Sequence, residues 1–405
     1  MAGRTINVKN SAELTRAVRT AVAGDNILLA PGNYGFVSVN NSNPTGTVTI
    51  RSANPNAEAV FEGLLVSRTS NYMFQDIEVA HYLEPRESDV SQAVRVQAAR
   101  NITFIGLDVH GTLNNTPNDD GNGFWAVASS RIAVLDSTFR ELNNAVVFGN
   151  ANDVIFAGNT ISMAREGMNL SQTNEALVER NYITQILPNA ARGDHGDAIQ
   201  VHAGGSSTGS SNLTFRGNVI KVGTSGTHGI YVANEKGPRG FTHDNIVIDN
   251  NYYEGNARHG ITVNWGSNVT VTNNTVRDIG SGGLVPAVNI YNVRNGLIDD
   301  NIAPLFLGVT ERNNGNSGVT WSDNIDVMDR LRNVGVTETS LFSSGVNNSS
   351  LDFSSLNVRG NHSAASQGIG FSAFDGIGDF KASAGAILAA YLPQFDTHAT
   401  HTMIA

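Results

Sequence analysis

The densest cluster of chemistry-bearing residues runs from Arg192 to His202, RGDHGDAIQVH. It places Arg192, Asp194, His195, Asp197, Gln200 and His202 on one short stretch. Two further imidazoles follow, each ahead of a Gly-Ile pair, at His228 and His259, with Tyr231 three residues beyond the first. Imidazoles and phenols move protons near neutral pH, a carboxylate fixes which imidazole nitrogen carries the proton, and a fixed cation stabilises a developing anion. That set suits proton abstraction beside a carboxylate better than nucleophilic attack. There is no cysteine, so thiolate catalysis, thiolate metal sites and disulfides are excluded.

These residues fall into columns when similar segments are registered. Aligning AVRV at Ala93, GFWA at Gly123, AVVF at Ala145, GMNL at Gly167, AIQV at Ala198, GIYV at Gly229, GITV at Gly260 and AVNI at Ala287 sets the apolar residues in two inward columns. Between them runs an outward column of Arg95, Trp125, Val147, Asn169, Gln200, Tyr231, Thr262 and Asn289. A second outward column holds Ser171, His202, Asn264 and Tyr291. A third set, Asn144, Glu166, Asp197, His228 and His259, precedes each segment and faces outward only if the strand starts after it. Aromatics, amides and acid/base groups along a shallow groove suit a polysaccharide, whose rings stack on apolar faces and whose hydroxyls need paired polar partners.

The element that stacks such segments is set by a recurring asparagine. Asn159, Asn181, Asn218, Asn251, Asn274 and Asn301 are spaced by 22, 37, 33, 23 and 27 residues. Most sit among alternating apolar residues, as in Leu213, Phe215, Asn218 and Ile220. Steps of two put the apolar residues on one face of a strand, where a helical solenoid would need steps of three and four. A core pattern that repeats while length is absorbed between repeats predicts an all-β fold, a single-stranded right-handed parallel β-helix. Stacked coils about 4.8 Å apart would carry the asparagines as a buried ladder.

Composition agrees. A chain of 405 residues at 40% hydrophobic can fill a long solenoid core, and charged residues at 15% fall below the usual quarter. The net charge of −10 argues against nucleic acid or an anionic membrane as partner. No apolar run is long enough to span a bilayer, and the Met-Ala-Gly-Arg start does not read as a secretory signal. The expected location is nonetheless extracellular, secreted or virion-associated.

Residues 10–22 read as a capping helix with Asn10 or Ser11 at its N-cap and Leu14, Val18 and Val22 on one face, followed by a strand over 27–30. The opening VKNSAELTRAVRTAVAGDNILLAPGNY, with TVTIRS after it, resembles right-handed parallel β-helix proteins of the pectate-lyase-like superfamily. Notable among these, it resembles the alginate and dermatan lyase family that includes chondroitinase B. The run from Asp194 to Gln200 resembles a His-x-Asp-x-Ile-Gln signature of bacterial and phage β-helix proteins with no settled reaction. The chain lacks the Glu-x-Lys-Ser and Arg-His-Gly-Asn stretches of the lyases and the Asp-Pro-His motif of mannuronan C5-epimerases. No catalytic residue is therefore carried over from either family.

The expected organisation is a cap and first coil over 1–46, the glycan-bearing β-helix over 47–301, last coils over 302–334, and a C-terminal cap or assembly segment over 335–405. That last segment includes a helix over 382–391, and a homotrimer could form through it. Loops leave the coils at 82–89, 111–121, 188–196, 204–211 and 235–244. The leading mechanism is β-elimination or C5-epimerisation of a uronate polymer, with a base and an acid among His228, Tyr231, His259, His195, Asp197 and His202. Arg192, Lys236 or Arg239 would neutralise the substrate carboxylate, as would Ca²⁺ held by Glu166, Asp194 and Asp197. No organic cofactor is expected. The competing readings are a glycoside hydrolase using Glu166 and Asp197, and a glycan-binding tail spike or adhesin without catalysis.

Overall fold

The computed structural model describes residues 3–83, 87–88, 90–203, 208–233, 243–280, 284–308, 313–328, 341–342, 357–358 and 363–372. They form two compact units, one ending at Glu166 and the other beginning at Gly167. In each unit the strands pair in parallel with the strand one coil further on, as in Thr5–Val8 with Asn26–Leu29 and Asp197–His202 with His228–Ala233. No helix of the described residues is long and apolar enough to cross a membrane.

The first unit opens with the expected helix, Ser11–Arg19. Asn10 caps it by accepting from the Glu13 N–H at 3.0 Å, while Glu13 accepts from the Lys9 N–H at 2.8 Å. The helix stops three residues earlier than expected, and its buried face is Leu14 and Ala17. Val22 lies beyond the C-cap and is exposed. Asp25 closes this end: its carboxylate accepts from Arg4 and from the Val22 N–H, which holds its pKa well below the usual carboxylate range. The core of this unit is a pile of aromatic rings, with Phe74 on Phe104 at 5.2 Å and Phe104 against Phe124 at 5.2 Å.

The asparagine ladder is the spine of the second unit. Asn181 Nδ2 donates to Asn218 Oδ1 at 2.9 Å, Asn218 to Asn251 at 2.9 Å, Asn251 to Asn274 at 3.0 Å and Asn274 to Asn301 at 2.9 Å. Each Oδ1 also accepts from the backbone N–H of the preceding asparagine. All five are buried, so each amide satisfies backbone groups that could not otherwise reach a partner. The ladder runs one rung further than the sequence repeat, because Asn301 donates to Asn324 at 2.9 Å. In the first unit a serine takes the same post: the Ser137 N–H donates to Asn159 Oδ1, and Ser137 Oγ accepts from the Leu107 N–H.

Strand pairing is found from Thr5 in the first unit and as far as Asp326 in the second. Described pieces of the C-terminal segment pack onto the last coils, where Leu341, Phe342, Val358, Ala364 and Ile369 cluster with Ile302 and Ile325. The Gly370 N–H donates to the Asp300 carbonyl, and the Phe371 N–H to Thr275 Oγ1. The helix expected over 382–391 lies outside the described residues.

A second interior rung explains an unforeseen titration. His243 is fully buried, its Nδ1 accepting from the Ser210 N–H at 3.1 Å and its Nε2 donating to the Ala233 carbonyl at 3.3 Å. Burial pushes its pKa down to about 4 from 6.5. The unfolded chain therefore binds the extra proton between pH 6.5 and 4, so this contribution to stability is complete above pH 6.5 and declines as pH falls toward 4. Asparagine at this position keeps an acceptor and removes the titration. Thermal melts should fall less steeply for His243→Asn than for the wild type across that window; equal slopes would remove His243 from the account.

Candidate active site

The register of the columns is as expected. In the first unit Arg95 pairs with Trp125 and Trp125 with Val147; in the second Asn169 pairs with Gln200, Gln200 with Tyr231, Tyr231 with Thr262 and Thr262 with Asn289. Ser171 pairs with His202, and Asn264 with Tyr291. The glycines that open these segments have a packing reason. A Cβ on Gly229 would lie 2.1 Å from the Gly260 carbonyl oxygen, and one on Gly167 would lie 2.3 Å from that of Ala198. Beneath Gly229 and Gly260 lies the Tyr253 ring, whose hydroxyl donates to the Thr227 carbonyl at 2.8 Å. The repeated His-Gly-Ile is thus a histidine at the coil lip followed by the only residue that lets the next coil stack closely.

Asp197, His228 and His259 begin their strands rather than preceding them. Asp197 is accordingly turned in and only 2% exposed, yet its Oδ1 lies 2.9 Å from His228 Nδ1. A carboxylate can only accept, so Nδ1 carries the proton and Nε2 keeps its lone pair. The His228 side chain is 27% exposed and meets solvent from that pair. Its ring lies 4.6 Å from that of His259, edge to face, and 5.3 Å from that of Tyr231; Tyr231 and His259 are 5.1 Å apart. His259 Nδ1 sits 2.9 Å from Thr262 Oγ1, and Asn289 Nδ2 donates to that hydroxyl at 3.0 Å. Burial, then the neighbouring His228, pushes the His259 pKa down to about 4, so at neutral pH this imidazole is uncharged.

Other expected site residues have different surroundings. Asn289 is 2% exposed, and its amide also donates to the Arg258 and Ala287 carbonyls, so it braces the coil beneath Thr262. Asn169 is buried, whereas Gln200, His202 and Tyr291 are half-buried. Asn264 accepts from Asn292 at 2.9 Å. Arg192 and His195 are exposed on the loop over 188–196, where Asp194 accepts from the Asn189 N–H at 2.7 Å. Arg95 is exposed and bonded to Gln92 and Gln97, and Trp125 is half-buried; both stand in the first unit, as does Glu166. Lys236 and Arg239 lie outside the described residues. Of the carboxylates expected to hold Ca²⁺, Asp197 is engaged by His228 and Asp194 by its own loop, a donor set fitted to hydrogen bonding.

Thr262, which sets the His259 ring, was read as a column member without a role. Three residues apart in a regular strand, the two side chains would diverge. A shift of register between His259 and Ile261 brings them together, and alternation gives no sign of it.

These features define a right-handed parallel β-helix protein with an Asp-His pair, a neutral imidazole and a phenol on one face. Residues 62–237 match the family described as right handed beta helix region. No curated protein matches the sequence. Among solved structures, the fold is similar to the A-module of the mannuronan C-5 epimerase AlgE6 from Azotobacter vinelandii, at 15% identity and a TM-score of 0.54, over 78% of this chain and 90% of that one. It is similar also to the surface protein and adhesin PfbA of Streptococcus pneumoniae, at 10% identity and a TM-score of 0.51, over 78% and 92%.

Proposed function

We propose that the chain is a polysaccharide-active enzyme that abstracts the C5 proton of a uronate residue, giving β-elimination or C5-epimerisation. The observation that carries this reading is the 2.9 Å contact of Asp197 with His228 beside the rings of Tyr231 and His259. His228 Nε2 takes the C5 proton, and the electron pair passes into the substrate carboxylate. In elimination the C4–O bond then breaks and Tyr231 gives its proton to the leaving oxygen, leaving a C4–C5 double bond. In epimerisation a proton returns to C5 from the opposite face. In this reading Gln200, paired with Tyr231 and half-buried, holds the sugar, and Arg192 neutralises its carboxylate.

The hydrolase reading needs two carboxyls flanking the glycosidic bond. Its support is weaker, because Asp197 is buried and bonded to His228. Similar folds bear names as different as epimerase and adhesin, so the side chains and not the coil favour catalysis. Incubation with a panel of polyuronates tests this. Ultraviolet absorbance from an unsaturated uronyl end, or inverted C5 centres at constant chain length, is expected. Reducing ends without absorbance would move the assignment to a hydrolase, and binding without chemistry to an adhesin. A secreted or virion-borne setting is the natural one for such an activity.

A further inference from the structure

The loop over 111–121 in the first unit holds two buried carboxylates at its foot. Asp120 is 0% exposed, and its Oδ1 accepts from the Thr112 N–H at 2.8 Å. Glu141, on the strand Thr138–Gly149, is 4% exposed, and its Oε1 accepts from the Asn115 N–H at 3.0 Å. The other oxygen of each, Asp120 Oδ2 and Glu141 Oε2, is buried and makes no hydrogen bond; the same holds for Thr112 Oγ1. No ion pair among the described residues joins either carboxylate to a cation. Two buried acceptor-only groups left in this way cost several kcal/mol each unless something satisfies them.

The packing keeps space for the carboxylate. A Cβ on Gly111 would lie 2.2 Å from Asp120 Oδ1 and 2.4 Å from the Glu141 carbonyl oxygen, so only glycine lets the Asp120 carboxylate pack against the Glu141 backbone. Burial pushes the Asp120 pKa up to about 6, with the Asp119 charge and then that of Glu141 adding to it. Leu113 and Asn115 take left-handed backbone conformations within the loop. Hard anionic and hydroxyl oxygens are what Ca²⁺ takes, since it accepts irregular shells of six to eight oxygens.

We infer that Asp120, Glu141 and Thr112 form a calcium site that fastens the loop over 111–121 to its coil. The ion would satisfy Asp120 Oδ2, Glu141 Oε2 and Thr112 Oγ1 together.

The test is equilibrium dialysis of the full chain against calcium alone, with the bound metal counted, beside thermal melts with calcium or EDTA. Asp299, Asp300 and Asp323 bring carboxylate oxygens within 4.8 Å of one another in the second unit, so the reading is the difference between variants. The wild type should retain one calcium more than Asp120→Asn and melt roughly 2–5 °C higher with calcium than with EDTA, while Asp120→Asn shows no such gain. Glu141→Gln, which keeps shape and volume, should behave alike and guards against a variant that fails to fold. Equal calcium in the wild type and a folded variant would overturn the site. So would a wild-type melting temperature that rises on acidification through pH 6 and ignores calcium, because a shared proton would then satisfy the pair.

Discussion

Replacing His228 by alanine is expected to lower turnover of a polyuronate by about three orders of magnitude in a chain that still folds. Removing the base deletes a partly exposed imidazole held by a buried carboxylate, and the Asp197 carboxylate left without that partner lowers the melting temperature. Asp197→Asn should cost less, about a hundredfold. An amide can donate to Nδ1, which moves the proton to Nε2 and blocks the lone pair that does the work. Tyr231→Phe should separate the two outcomes: it removes the acid for the leaving oxygen but leaves C5 proton abstraction intact. Activity of His228→Ala within a few-fold of wild type would exclude the imidazole as base.

The second large effect is structural. Asn251→Ala is expected to cost at least about 3 kcal/mol, read by denaturant unfolding, because several buried groups lose their partner at once. The Asn218 N–H and Nδ2 lose the oxygen that accepts from both, and the Phe215 and Asp249 carbonyls lose the Asn251 amide. An outer asparagine pair gives the contrast. Asn245, exposed and in a left-handed turn, donates to Asn212 at 2.8 Å, and Asn245→Gly keeps the backbone conformation at a cost under about 1 kcal/mol. A similar small loss at Asn251 would mean that the interior ladder is not what holds the coils.

The ladder was legible because a buried amide must be satisfied wherever it recurs, and the period-two apolar pattern then fixes which residues adjoin. This is why the sequence alone places Gln200, Tyr231 and Thr262 in one column. The lip of the coil was less legible. Alternation assigns a side chain to a face only within a regular strand, and at Asp197 and His259 the strand is just beginning. The inward turn of Asp197 and the Thr262 contact with His259 both arise from that irregularity. Ser137 and Asn324 at the ends of the ladder were missed for different reasons: one changes residue type, the other lies past the point where the apolar pattern fades. The unsatisfied oxygens of Asp120 and Glu141 could not be seen either, since burial of a loop carboxylate leaves no mark on composition.

The central claim is proton transfer at C5 by the Asp197–His228 pair. Proton NMR of a polyuronate incubated with the wild-type chain and, in parallel, with His228→Ala tests it most directly. A vinylic resonance from a C4–C5 double bond, or resonances of C5-inverted residues, should grow with the wild type and be missing with His228→Ala. New reducing-end resonances without either signal, or the same products from both chains, would contradict the account.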